Sequence, residues 1–218
     1  MSADSAPLDH PIFRESIRLI REALEPGDAL HGLSQLHQDV VLRLIHSSGD
    51  LTLAASVRTT PGACEAGVQA LAAGATLLTD TAMAAAAVAP MARRTFGNPV
   101  CCVLDWAPAI APPGGTRTAA GLDQALALHP GAVVLIGSAP TALELLLQRV
   151  AAGCCPAPAL VIGMPVGFVG VAESKRRLAA SGLPQIQLEG SRGGAGLVGA
   201  AANALLRRAW LDRQGPVG

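Results

Sequence analysis

Apolar residues along the chain fall into runs of two lengths. Val100–Leu104, Ala132–Ile136 and Ala159–Ile162 are short, rich in β-branched residues and bounded by Gly or Pro, as strands buried on both faces of a parallel sheet are. Ala75–Leu78 is a weaker fourth run of this kind. Between and after them lie longer segments of helical character: Pro61–Ala73, Thr81–Ala89, Thr118–Leu128, Pro140–Ala152 and Gly194–Trp210. Strand and helix alternating in this way predict right-handed crossovers and an α/β fold, a three-layer α/β/α sandwich. At the front, Ile12–Leu24 and Gln35–Ser48 read as two helices separated by a loop with Pro26 and Gly27. The first repeats Phe13, Ile17, Ile20 and Leu24 at spacings of three and four, a core stripe with Ser16 at its edge. Neither a composition break nor an internal repeat divides the chain, so residues 1–218 are read as one domain, with 1–8 and 214–218 expected to fray.

Composition narrows the class. Half of the 218 residues are hydrophobic and 15% are charged, which excludes disorder and allows a substantial single core. The 16 Lys+Arg balance the 16 Asp+Glu, so no broad field of one sign is offered to nucleic acid or to a membrane surface. Lys175 is the only lysine. The opening Met1–His10 has no basic start followed by an apolar run, and a cytoplasmic protein is expected. The uncharged stretch Val150–Ala172 is broken by Pro156, Pro158 and Pro165, so a buried strand with turns at each end is expected there, not a membrane span. Cys64 and the adjacent pairs Cys101/Cys102 and Cys154/Cys155 form neither a metal-ligand spacing nor an even disulfide set, and are read as reduced core thiols.

Candidate chemistry collects where strands of an open parallel sheet end and helices begin. Three glycine-rich loops occupy such places: Gly137–Thr141, Gly163–Gly170 and Gly190–Gly194. Their backbone N–H groups are candidates for holding anions, although tight strand-to-helix turns need glycine for steric reasons alone. On the segment Gln35–Ser48, residues Asp39, Arg43, His46 and Asp50 recur at spacings of four, three and four. They read either as a solvated face with an Asp39–Arg43 pair or as a general acid beside a carboxylate clamp. Thr116-Arg117-Thr118 brings an Arg and two hydroxyls to a helix start, where Thr118 could equally be a plain cap. None of His10, His31, His37 and His129 pairs at i,i+4 with another ligand type to suggest a metal, and no GxSxG elbow is present.

Leu42-Arg43-Leu44-Ile45-His46, then TTPGACEAGVQALAAGATLLTD, GTRTAAGL, VVLIGSAPTAL, GMPVGFVGVAESK and GSRGGAG, stand in this order. Together they closely resemble the precorrin-8X methylmutase family of cobalamin biosynthesis over nearly the whole chain. The resemblance implies a mainly parallel five-stranded sheet, a homodimer and a site close to the subunit interface. It implies movement of a methyl group from C-11 to C-12 of precorrin-8X, or of cobalt-precorrin-8, with no cofactor or metal supplied by the protein. His46 matches the family's catalytic histidine, here expected as general acid. Ser16 and Arg43 match positions that contact substrate, and Thr116 and Arg117 match a Thr-Arg expected to meet acid side chains. Gly193 and Gly194 are expected to bind substrate from the third loop, while Met83, Met164, Val166 and Phe168 are expected to cover the ring. Ser138 stands where the family often has Asn and Ser191 where it has Arg, for which Arg192 could substitute. These departures leave a non-catalytic tetrapyrrole carrier as the alternative.

Overall fold

The computed structural model describes residues 7–215. Two helices lead, α1 (Pro11–Leu24) and α2 (Gln35–Ser48), followed by β1 (Val57–Thr59), α3 (Ala63–Ala72), β2 (Leu77–Thr79) and α4 (Ala82–Arg94). Then come β3 (Val100–Cys102), α5 (Arg117–Leu128), β4 (Val133–Ile136), α6 (Pro140–Ala151), β5 (Leu160–Gly163), α7 (Val171–Ala180), β6 (Gln185–Leu188) and α8 (Ala195–Gln214). The sheet order is β1-β6-β5-β4-β2-β3, with every pair parallel except β1 against β6.

The pleat sorts side chains into two cores. Leu77, Val133, Leu135, Leu160, Ile162 and Ile186 point to a layer built by α2, α3, α4 and α8. Their neighbours Leu78, Val134, Ile136 and Val161 point to the opposite layer, built by α5, α6 and α7. This alternation of faces along each strand makes the three-layer sandwich that the strand–helix repeat predicts. Small residues set the helix spacing in the first layer: a Cβ on Gly199 of α8 would lie 2.7 Å from the Ala87 Cβ of α4. The alanine-rich α4 is therefore a close-packing surface.

Three expectations need correction. The sheet has six strands, not five, because the three-residue β1 joins the edge through Val57↔Leu188 and Thr59↔Ile186. Its Arg58 and Thr59 hide it from a search for apolar runs. Helix α4 continues past Ala89 to Arg94 although Pro90 lies inside it. Pro90 is exposed while Val88, Met91 and Ala92 stay buried, so the lost backbone bond faces water and the core face holds the helix together. Of the expected frayed ends, 1–6 and 216–218 lie outside the described residues. Pro7 accepts a hydrogen bond from Arg94 Nη2 at 3.1 Å, Leu8 packs on the core, and α8 runs to Gln214. Finally, Cys64 and Cys102 are buried, but Cys154 is exposed in the turn after α6. No described helix is long and apolar enough to cross a membrane.

Candidate active site

Helix α2 begins at the Ser34 cap, whose Oγ accepts the His37 N–H, and ends at Gly49, whose left-handed backbone (φ 70°) closes the last turn on the Ile45 carbonyl. This end places His46 in the last turn, with Val40, Val41, Leu42, Leu44 and Ile45 facing the core. Helix α1 lies alongside. Ser16 Oγ and His46 Nδ1 are 2.7 Å apart, a hydrogen bond that leaves Nε2 as the nitrogen available to a ligand. The Phe13 ring meets the His46 ring edge-on, with centroids 5.1 Å apart and planes at 88°. Burial, and then the Arg43 charge, hold the His46 pKa below its ordinary value.

Arg43 stacks its guanidinium 4.6 Å from the Phe13 centroid, and Arg207 of α8 lies 5.5 Å from the same centroid. Arg43 Nε is buried without a partner among the described residues. Burial first, then the neighbouring Arg207, lower its pKa, although a guanidinium remains protonated. The expected Asp39–Arg43 pair does not form. Asp39 Oδ1 accepts from Gln35 Nε2 at 3.1 Å, and its other oxygen lies 3.8 Å from Arg208. Asp50, the last of that series, accepts from Thr52 and pairs with Arg192 at 3.0 Å. Arg43 and Phe13 line a cleft of about 300 Å³ between α1, α2 and α8, together with Asp39, Arg14, Arg21, Arg208 and Arg207, the last paired with Asp9. That volume is at the low end of the roughly 300–1,000 Å³ usual for small-molecule pockets. It suits one carboxylate arm better than a macrocycle.

Thr116 caps α5: its Oγ1 accepts the Ala119 N–H at 3.2 Å and lies 2.9 Å from Thr141 Oγ1. Thr116, not Thr118, is therefore the cap. Arg117 is exposed and anchored by Nε donating to the Pro108 carbonyl at 2.8 Å. Thr116 and Thr141 line a second cavity of about 530 Å³, where α5, α6 and α7 begin. The two cavities share no lining residue, and His46 and Ser16 line neither of them; Ser16 borders a shallow depression on α1 with Ile12 and Leu19.

The glycine-rich loops are spent differently from the sequence expectation. Asp80 Oδ2 accepts the N–H groups of Gly137, Ser138 and Ala139 at 3.0, 2.6 and 2.9 Å. Val166 N–H goes to the Gly137 carbonyl, Gly167 N–H to Ser191 and Gly194 N–H to Met164. These donors fasten loops to one another and are not left for a ligand. Gly193 is needed for fit, since a Cβ there would come within 1.9 Å of the Met164 carbonyl oxygen, and Gly194 has φ 126°. Arg192 cannot replace a missing substrate arginine as it stands, because it is held by Asp50, Thr52 and Ser56. Met164 is fully buried core, whereas Met83, Val166 and Phe168 are exposed, Phe168 by 94%. The buried Lys175 donates to the carbonyls of Gly190 and Arg192 at 2.9 and 2.6 Å, and burial lowers its pKa to about 8.

Residues 11–208 match the family profile described as precorrin-8X methylmutase. The chain belongs to the precorrin-8X methylmutase family. It is 39% identical to a cobalt-precorrin-8 methylmutase of a Synechocystis strain, with 94% of this chain and 99% of that one aligned. It is 43% identical to a precorrin-8X methylmutase of Pseudomonas aeruginosa over 89% and 93% of the two chains. A crystal structure of precorrin-8X methylmutase from Thermus thermophilus superimposes with a TM-score of 0.81 at 40% identity, covering 95% of this chain and all of that one. The family consists of isomerases of cobalamin biosynthesis, and the α/β class, the isomerase character and the recognised motifs all agree with it.

Three structural participants were not legible as such in the sequence. Phe13 reads as core but joins His46 to two arginines; its only signal is a position three residues before Ser16. Arg207 sits in a helix with no distinguishing spacing. Asp80 reads as part of a family motif, and nothing local reveals that residues 137–139 close on it.

Proposed function

We propose that this protein moves the C-11 methyl group of precorrin-8X, or of cobalt-precorrin-8, to C-12, giving hydrogenobyrinate or cobyrinate, with His46 as general acid. The Ser16–His46 hydrogen bond beside the Arg43–Phe13 stack carries the reading. In the shift, the C-11–methyl bond breaks as the C-12–methyl bond forms within one molecule, so composition is unchanged. A proton from His46 Nε2 makes the conjugated system more electron-poor as the methyl migrates, and the ring recovers a proton afterwards. Ser16 fixes the imidazole plane. Arg43, partly buried and with its Nε unpartnered among the described residues, is suited to an acid side chain of the macrocycle. Thr116, which lines the second cavity, and the exposed Arg117 next to it, which does not line it, are offered to other acid groups, while the fit required at Gly193 and Gly194 shapes the wall between strands and α8. A homodimer that brings the two groups of residues toward one ligand, and a cytoplasmic location suited to five unpaired thiols, complete the reading.

The visible spectrum after mixing protein with precorrin-8X, and separately with cobalt-precorrin-8, tests it, since rearrangement changes the chromophore. His46→Ala is expected to lower turnover by about 10²–10⁴ while tetrapyrrole binding persists. Binding without conversion by the native protein would make it a carrier. Loss of binding in His46→Ala would move His46 from chemistry to recognition.

A further inference from the structure

Asp80 follows β2 directly and is fully buried, with 0% of its surface accessible. A carboxylate in such a place ordinarily needs a cation or a set of hydrogen-bond donors. Here one oxygen receives three consecutive backbone N–H groups, from Gly137, Ser138 and Ala139. Consecutive N–H groups converging on one point form an anion-binding concavity. In this protein the anion is part of the chain. The charge also sits at the start of α6, which opens with Pro140 and so has no N–H at its first position. Burial raises the Asp80 pKa, while the three N–H bonds work in the other direction.

The segment held in this way supports the rest of the rim. The Gly137 carbonyl accepts the Val166 N–H at 3.1 Å, which ties in the loop after β5. The Gly137 Cα lies flat against the start of α8, where a Cβ would approach Ala195 N and Gly194 C to 2.8 Å. Beyond Ala139, Thr141 bonds Thr116 across the 530 Å³ cavity.

We propose that Asp80 is a positioning residue of the substrate site, an internal anion holding residues 137–139 in the one arrangement on which the loops 164–170 and 190–195 and the Thr116–Thr141 pair are set. It touches no substrate. Its turnover consequence rests on the methylmutase reading; its structural consequence does not.

Asp80→Asn keeps the shape but cannot offer three donors a charged oxygen. Amide hydrogen exchange at 137–139, 166 and 194 is expected to quicken about tenfold or more while far-UV circular dichroism is unchanged. The KM for precorrin-8X is expected to rise by a similar factor, with kcat within about threefold, because rim geometry and not proton transfer is altered. A folded variant with native exchange rates, or with native KM, overturns the proposal, as does a loss confined to kcat. Ser138→Pro deletes the shortest of the three donors and leaves the carboxylate in place. It is expected to raise KM in the same direction by a smaller factor, and if Asp80→Asn does not fold, a native KM in this variant overturns the proposal. Should native protein convert neither precorrin-8X nor cobalt-precorrin-8, the methylmutase reading fails and the exchange rates alone decide the role of Asp80.

Discussion

A general acid must carry its proton when substrate arrives, and two features of His46 act against that in the free protein. Partial burial penalises the imidazolium, and Arg43, one turn earlier, repels it. Its pKa therefore lies below 6.5 in the free protein, and the protonated fraction falls as pH rises through that value. Bound substrate brings carboxylates that favour the imidazolium, which moves the transition upward. The alkaline limb of kcat/KM is accordingly expected below pH 6.5, and that of kcat at higher pH. Coincident limbs at or above pH 6.5, read from initial rates between pH 5 and 9, would remove His46 as the acid. The residues of this site were legible in the sequence to unequal depth. Arg43 and His46 stand out through motif and spacing and Ser16 through the family resemblance, whereas the Asp39–Arg43 pair that helix spacing offers as one reading does not form. Spacing ranks neighbours on one helix, whereas Phe13 reaches Arg43 from α1. Asp80 lies 57 to 59 residues from its partners, beyond any local pattern.

At the scale of elements, the four apolar runs read as strands and the two leading helices are present, because buried parallel strands and amphipathic helices have strong periodic signals. The two strands that escaped notice, β1 and β6, carry Arg58, Gln185 and Gln187, whose polarity breaks the apolar run while their backbones pair with neighbours. The glycines of the third loop are legible as glycines but not as packing devices. A Cβ at Gly193 would strike the Met164 carbonyl at 1.9 Å, while one at Gly196, three residues on, meets nothing within 4 Å. Gly193→Ala is thus expected to destabilise by about 1–3 kcal/mol or more as the loop is pushed from β5. Gly196→Ala should stabilise by about 0.4–1 kcal/mol through lost unfolded-state freedom. Urea unfolding midpoints of the two variants, shifted in opposite directions, would bear this out. Equal shifts would mean that the loop yields and that glycine is not required there.

For the whole molecule, the separation of the two cavities sets the question of assembly. His46 and Ser16 belong to the α1–α2 side, and Thr116 lies where α5, α6 and α7 begin. Large apolar side chains stand exposed near both. Ile12 and Leu19 flank Ser16 in a shallow depression on α1, and Phe168 and Val169 follow β5 beside the second cavity. Burying such side chains is worth about 25 cal/mol per Å², and a stable pairing needs roughly 1,200–2,000 Å² in all. A twofold assembly that covers these positions would exclude water from His46 and bring arginines from two copies to one polyacidic ligand. Sedimentation equilibrium is therefore expected to give twice the 22.0 kDa chain mass. The variants Ile12→Asp/Leu19→Asp and Phe168→Asp/Val169→Asp identify the covered surface. The pair that yields monomers should also lose turnover, because His46 is then left in water. A native protein that sediments as a monomer at assay concentration while converting precorrin-8X would show that one chain suffices, and the need for a second copy would fall.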